Sequence, residues 1–221
     1  MTDNTAPSSV RSTVKRLPER GQYDREQIDA ILDEGYICHV GIVADGLPIV
    51  IPMLYVRDGD SVLIHGSPAS RALRTAKADG VEISLTVTLV DAFVIARSGF
   101  HHSMNYRSVV ILGGAVPITD DEERSRALDH LLDGLVPGQT AAVRPMTRKE
   151  MKGTTVLRLP ISEASAKVRT GGPVDEPDDY DLPIWAGILP VTTIYGPPIP
   201  DPDLRHDLTV PEHIANYQRP I

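Results

Sequence analysis

From Asp24 onward, Ile28, Ile31 and Leu32 recur at helical spacing behind an acidic cap and ahead of Gly35, which predicts a short helix over 24–35. The period then changes. In YICHVGIVADGLPIVIPMLYV, two β-rich runs flank Ala44-Asp45-Gly46, and an Asp-Gly pair there signals a hairpin. The turn Arg57-Asp58-Gly59-Asp60 leads into the strand SVLIHG. Ser67 is a good helix cap, and Pro68 suits a first helical position. They open a second predicted helix with Ala69, Ala72, Leu73 and Ala76 on its apolar face, stopped by Gly80. VEISLTVTLVDAFVIAR is β-branched and long, which predicts two strands or one bent strand. After the polar SGFHHSMNY, RSVVILGGAVPI reads as a strand whose Gly113-Gly114 marks a bulge, a barrel corner or a close backbone approach. Asp120 to Leu135 is amphipathic, with Ala127, Leu128, Leu131, Leu132 and Leu135 inward. TTVLRLPI and SEASAKVRT are the last pair of strands.

Both ends depart from these patterns. Residues 1–22 are polar and read as a flexible N-terminal arm. About half of the prolines fall in the last fifty residues, where GGPVDEPDDYDLP reads as an acidic loop and YGPPIPDPDLRHD as an extended segment unsuited to a sheet centre. Trp185, Ile188 and Leu189 give this tail apolar anchors. The expected division is an arm over 1–22, a folded domain over 23–170 and a proline-rich segment over 171–221 packing on the body or on a partner subunit. Strands dominate without βαβ alternation, which excludes a doubly wound sheet and favours a mainly β fold, an antiparallel barrel with peripheral helices.

Composition narrows the function classes. The 221 residues carry a formal net charge of -8, which argues against broad nucleic-acid or anionic-membrane binding. No apolar run approaches the roughly 20 residues of a bilayer span, and the N-terminal segment lacks a signal-peptide core. A cytoplasmic location is expected. The single cysteine, Cys38, excludes an internal disulfide and a thiolate cluster, and its apolar strand predicts a buried, inert thiol.

Candidate chemistry begins at IHGSPASRALR. A capped helix start beside arginines suits an anion, because free N–H groups and the helix dipole favour negative charge there. Ser67, Ser70, Arg71 and Arg74 could converge on one phosphate, with the arginine forks giving bidentate bonds. The bland alternative is a surface helix with solvated arginines. His65 ends the preceding strand, either as a satisfied structural histidine or as a donor to a phosphate or a ring carbonyl. His39, His101 and His102 do not have metal-like spacing, and no metal is expected. Asn105, Tyr106 and Arg107 belong to a polar group that is either turn chemistry or a pocket mouth. Neither a Walker loop, a G-x-G-x-x-G turn nor a G-x-S-x-G elbow is present.

LPIVIPMLYV, VLIHGSPASRALR, VEISLTVTLVDAFV and MNYRSVVILGGAV, followed by an acidic amphipathic helix, together resemble the pyridoxamine 5′-phosphate oxidase-related flavin-binding proteins, in the branch of the nitroimidazole-resistance proteins. The resemblance covers roughly residues 15–170, and WAGILPV in the tail also looks familial. It implies a six-stranded antiparallel split β-barrel that forms a homodimer with FMN in a groove at the interface. By this resemblance Ser70, Arg71 and Arg74 grip the FMN phosphate, and Ile51, Pro52, Met53 and Leu54 lie against the isoalloxazine ring. Thr86 and Thr88 complete the ribityl and phosphate contacts. Asn105, Tyr106 and Arg107 reach the flavin or the partner, His65 lies near the phosphate or ring edge, and Trp185 caps the ring. The oxidase's C-terminal arginine- and histidine-containing substrate motif has no counterpart in strand context, since Arg205-His206 lies in the proline-rich tail. That argues against pyridoxamine phosphate oxidase activity itself. Some relatives bind haem or a deazaflavin in a similar groove, but the acidic tail and the lack of a clear axial-ligand pattern favour FMN. The expected function is an FMN-dependent oxidoreductase acting on a small organic acceptor. The alternative is a flavin or haem carrier or sensor without turnover.

Overall fold

The computed structural model describes residues 6–70 and 80–218. A short strand β1 (Gly21–Gln22) precedes helix α1 (Arg25–Glu34). The Asp24 side chain accepts from Gln27 N, and Gly35 N donates to Ile31 O at 3.1 Å, closing the helix where the sequence punctuates it. Ile28, Ile31 and Leu32 are its buried face. Strands β2 (Ile37–Ala44) and β3 (Leu47–Asp58) form the expected hairpin. Its two-residue turn has Asp45 at φ 53° and Gly46 at φ 75°, both left-handed, which is why an Asp-Gly pair sits there. Strand β4 (Ser61–Gly66) follows, and the second predicted helix falls largely on residues 71–79, outside the described residues.

Strand β5 (Val81–Ile95) is one bent strand, with a register shift between Val90 and Ala92. It pairs along its length with β6 (Ser103–Pro117). Helix α2 (Asp121–Leu135) is capped by the Asp120 side chain on Glu123 N at 2.8 Å. Two short helices the hydrophobic pattern did not announce, α3 (Gln139–Ala142) and α4 (Arg148–Lys152), lead to β7 (Thr155–Pro160) and β8 (Ala164–Arg169). In the tail, β9 (Gly187–Pro190) is an edge strand on β5, and α5 (Glu212–Ala215) lies near the end.

All pairings are antiparallel, in the order β1-β8-β6-β7-β4-β3-β2-β5-β9, and β5 also bonds β6. Six strands, β6-β7-β4-β3-β2-β5, therefore form a closed ring. Strands β7 and β8 do not bond each other: both bond β6, and their other partners are β4 and β1. Strand β6 pairs with β8 as far as Ile111 and with β7 only at Val116 and Pro117. Gly113-Gly114 lies between these partnerships and is thus a barrel corner.

The barrel interior is packed by Val40, Ile64, Leu85, Val87, Val109, Ile111 and Leu159, under the apolar face of α1. A second core seats α2 on the outside of the barrel, with Leu63, Ile118, Ala127, Leu128, Leu131 and Val156 closing around Val56. Both ends of the chain are docked. Ser9 and Arg11 bond Glu163, and Val14 N donates to Tyr23 Oη at 2.8 Å. The tail is latched by Asp175, whose carboxylate accepts from Arg97 N and from Arg97 Nη1, both at 3.0 Å. Burial works to raise the Asp175 pKa, but the hydrogen bonds from Arg97 and from backbone N–H groups outweigh it and hold it below the carboxylate range. No described helix is long and apolar enough to cross a membrane.

Gly134 stands near the end of α2, where a glycine costs helix propensity, about 1 kcal/mol against alanine. It is retained because a methyl there would overlap Val56 Cγ2 on β3. Gly134→Ala is therefore expected to lower stability by about 1–3 kcal/mol through overpacking, despite the better propensity. Thermal melts would check this, and a raised melting temperature would show that α2 does not need the close approach.

Candidate functional site

The ring is split on one side. Strand β3 bonds β2 from Leu47 to Leu54, but bonds β4 only from Tyr55 to Asp58. Tyr55 N donates to Tyr36 O at 3.3 Å, so by antiparallel alternation residues 49, 51 and 53 also turn their backbone groups to β2. The even positions face an edge bonded to no described strand. Pro48 and Pro52 occupy even positions, where a missing N–H loses no ladder bond and blunts the edge against foreign strands.

The other wall is the end of β4. The register pairing Tyr55 with Ile64 brings His65 level with Leu54, but there β4 stays with β7 through His65–Val156 and Gly66–Thr155. The β3 edge and the His65–Ser70 segment are thus unpaired with each other, and the space between them is the candidate groove. Ser67 Oγ accepts from Ala69 N at 3.2 Å, and Ser70 N donates to Ser67 O at 2.9 Å, which turns the chain at the groove mouth. Arg71 and Arg74 lie outside the described residues. Burial pushes the His65 pKa down, leaving a neutral imidazole near pH 7. Its Nδ1 is buried with no hydrogen-bond partner among the described residues.

The predicted ring-contact strand alternates. Ile51 and Met53 send their side chains into the barrel core, so only their backbone borders the groove, while Pro52 and Leu54 face outward. Pro52 pairs with His39, and His39 with Thr86, so these three form one row across the outer face. Thr88 lies on the same face of β5. Ile37 and His39, at the centre of this face, did not stand out as site residues in the sequence. The alternation of β2 carries the signal, because its odd positions are the outward ones.

Other expected residues are engaged elsewhere. Asn105 is buried, donating to Gly171 O at 3.1 Å and accepting from Arg169, so it ties the end of β8 to the tail. Tyr106 stands half-buried beside Arg169 in the β6–β8 ladder. Arg107 is clamped between two carboxylates, with Nη2 at 2.8 Å from both Glu34 Oε1 and Asp91 Oδ1. These bonds hold its pKa above even the ordinary arginine value. Trp185 is 69% exposed and lies beside Gly187. Cys38 is fully buried, and burial pushes its thiol up to about 12, which makes it inert.

A cleft of about 670 Å³ adjoins the groove. It is lined by Tyr36 and Ile37 of the α1–β2 junction, by Thr88 to Asp91 of β5, by the Arg107 clamp, and by Val191, Thr192, Thr193 and Tyr195 of the tail. Thr88 and Arg107 are the expected site residues it brings together. Among the described residues, no three His, Cys, Asp or Glu side chains gather as a metal site.

The profile of the pyridoxamine 5′-phosphate oxidase family matches residues 24–168. The chain belongs to this family. No curated protein sequence matches it significantly. Among solved structures, the flavocytochrome Anf3 of Azotobacter vinelandii is 42% identical, with a TM-score of 0.89 over 94% of this chain and 96% of that one. The FAD and heme binding protein of Mycobacterium smegmatis is 37% identical, with a TM-score of 0.83 over 88% and 95%. A Bacteroides thetaiotaomicron protein named for 5-nitroimidazole antibiotic resistance shares the fold at 21% identity, with a TM-score of 0.57 over 67% and 86%. The six-stranded ring is thus the flavin-binding split barrel of the pyridoxamine 5′-phosphate oxidase family.

The clamp is testable. Arg107→Met leaves Glu34 and Asp91 without their shared cation. With all three side chains about a third exposed, the expected loss is about 1–3 kcal/mol at pH 7. Denaturant titrations of wild type and variant at pH 7 check this, and an unchanged midpoint would mean that the clamp does not hold the scaffold.

Proposed function

We propose that the protein is a flavin-dependent oxidoreductase that holds its flavin in the split between β3 and β4. The observation that carries this is the edge of β3 that no described strand pairs, with the Ser67–Ser70 turn and a buried His65 Nδ1 that has no partner among the described residues on the strand beyond it. These groups fit a flavin nucleotide: a strand edge with free N–H and C=O groups for a polar ring, a neutral imidazole able to donate or accept, and a hydroxyl-rich turn for a phosphate. By family resemblance Arg71 and Arg74 add the charge that a phosphate needs. FMN satisfies this set, and FAD would present its flavin phosphate to the same turn. Bound there, a flavin would supply the redox chemistry that passes two electrons from a nicotinamide or other reductant to a small organic acceptor. The chain's own residues bind, orient and exclude water. Turnover separates this reading from that of a carrier or sensor on the same fold.

The same reading makes the protein a homodimer. Val50, Val90, Phe93 and Met104 are exposed on the outer face of β3, β5 and β6, the face that carries Pro52, His39 and Thr86. A second copy covering this face would bury them and close the groove. Light scattering at micromolar concentration is expected to give twice the 24.0 kDa chain mass, and a lone 24.0 kDa species would remove the dimer.

A second reading adds haem beside the flavin. It is favoured by the two relatives that match nearly the whole chain, one a flavocytochrome and the other named for FAD and heme. An iron ligand would be an imidazole already oriented by its other nitrogen. His102 fits, because its Nδ1 is held by Ser98 O at 2.9 Å and the residue is exposed.

The visible spectrum of the purified protein tests both readings. Two flavin bands are expected, and chromatography of the released chromophore separates FMN from FAD. A Soret band would add haem. Arg71→Ala should weaken flavin binding about tenfold or more, the effect of losing one charge-assisted hydrogen bond of about 1.5–3 kcal/mol. Colourless protein that takes up neither flavin would end the proposal.

A further inference from the structure

Beyond the Asp175–Arg97 latch, the tail returns to the barrel. Strand β9 pairs with β5, and Val191 N then donates to Asp91 O at 2.9 Å. Four residues later the Tyr195 ring stands edge-on to Tyr217, 4.7 Å between centroids, and Tyr217 Oη donates to Leu135 O at 2.8 Å. Thr192 and Thr193 therefore span the cleft as a strap fixed at both ends. The roof is preorganised, and a ligand beneath it need not bear the cost of ordering a loop.

The lining defines a chemistry. Ile37, Leu89, Val90 and Val191 are apolar, and Tyr36 and Tyr195 add aromatic faces from two different segments. Thr88, Thr192, Thr193 and Gln218 add hydroxyl and amide groups to the lining. The one cation in the described lining, Arg107, is already bound by Glu34 and Asp91. An anionic ligand finds no uncommitted cation among the described residues. A volume of about 670 Å³ suits a small ligand of two or more fused rings.

The position relates this space to the flavin groove. Ile37 lines the cleft and is the register partner of Leu54, which edges the groove. Adjacent strands stand about 4.8 Å apart, so groove and cleft share a wall one strand thick. We infer that the strapped cleft is a binding site for neutral, planar aromatic molecules of the quinone class, which would be the acceptors of the proposed oxidoreductase. The inference rests on the flavin reading for the role of the ligand, and on the cleft alone for its binding.

The probe is menadione, titrated by calorimetry into the protein as purified, with flavin absorbance per chain recorded for every sample. Wild-type protein is expected to bind one menadione per chain. Thr193→Trp fills the space under the strap and should weaken binding at least tenfold. Thr193→Ala, which cannot obstruct folding, should weaken it about threefold through loss of one hydroxyl. Flavin content should be unchanged in both. Wild-type protein that holds flavin but ignores menadione, or variants that bind it like wild type, would overturn the cleft and leave the flavin reading standing. Tighter binding of anthraquinone-2-sulfonate than of menadione would overturn the neutral class. Menadione binding by a chain that holds no flavin would keep the site and remove its role as an acceptor site.

Discussion

The architecture depends on one strand serving two partners. Strand β6 begins between β5 and β8 and ends against β5 and β7. A single straight strand with ordinary side chains could not make that change over the four residues between Ile111 and Val116, and Gly113-Gly114 relieves the crowding there. The opposite strand also gives way. Gly80 approaches β6 so closely that a Cβ would lie 2.8 Å from Ala115 O. Once β7 is drawn to the end of β6, β4 follows β7, and only four residues of β3 remain within reach of β4. The open edge that forms the candidate groove is thus a consequence of closing the ring with a shared strand. No separate binding loop is needed.

The end of the barrel beside the groove is set by a second chain of constraints, which starts at α1. Tyr55 Oη donates to Leu32 O at 2.7 Å, and a Cβ on Gly35 would lie 2.5 Å from that same hydroxyl. The C-terminus of α1 is therefore pressed onto the barrel, and Glu34 is delivered to Arg107. Arginine suits this position because one planar fork can serve two carboxylates from different elements, which a lysine ammonium could not do with the same geometry. The clamp closes the barrel end with polar groups, and the tail passes over it.

What was legible in the sequence was local. Asp24, Asp120 and Asp45-Gly46 announced two helix caps and a turn, because a cap or a left-handed turn is decided within a few residues. The outward positions of β2 and β3 were also readable from alternation, yet His39 was weighed only as a metal ligand and Ile37 not at all. Partnership across the sheet was not legible. Arg107 finds Glu34 from 73 residues away, and Asn105 finds Arg169 from 64 residues away. A polar run in sequence gives no sign of such pairings, which tie distant segments of the scaffold together. Arg71 and Arg74, which the phosphate reading needs most, rest on the family resemblance alone.

The tail shows where a common barrel acquires its individuality. The family profile ends at residue 168, and the fold shared with the Bacteroides protein extends over 67% of the chain. At 94% coverage, the likeness to the Azotobacter flavocytochrome must take in most of the tail as well. Prolines suit such a segment, since Pro190, Pro197 and Pro198 hold it extended while removing N–H groups that no sheet would satisfy. An extended strap pinned at Val191 and Tyr195 can alter the cleft beneath it by single substitutions without disturbing the ring. Specificity can then vary in the tail while flavin binding stays with the barrel, and fold-level likeness should carry the cofactor further than it carries the substrate.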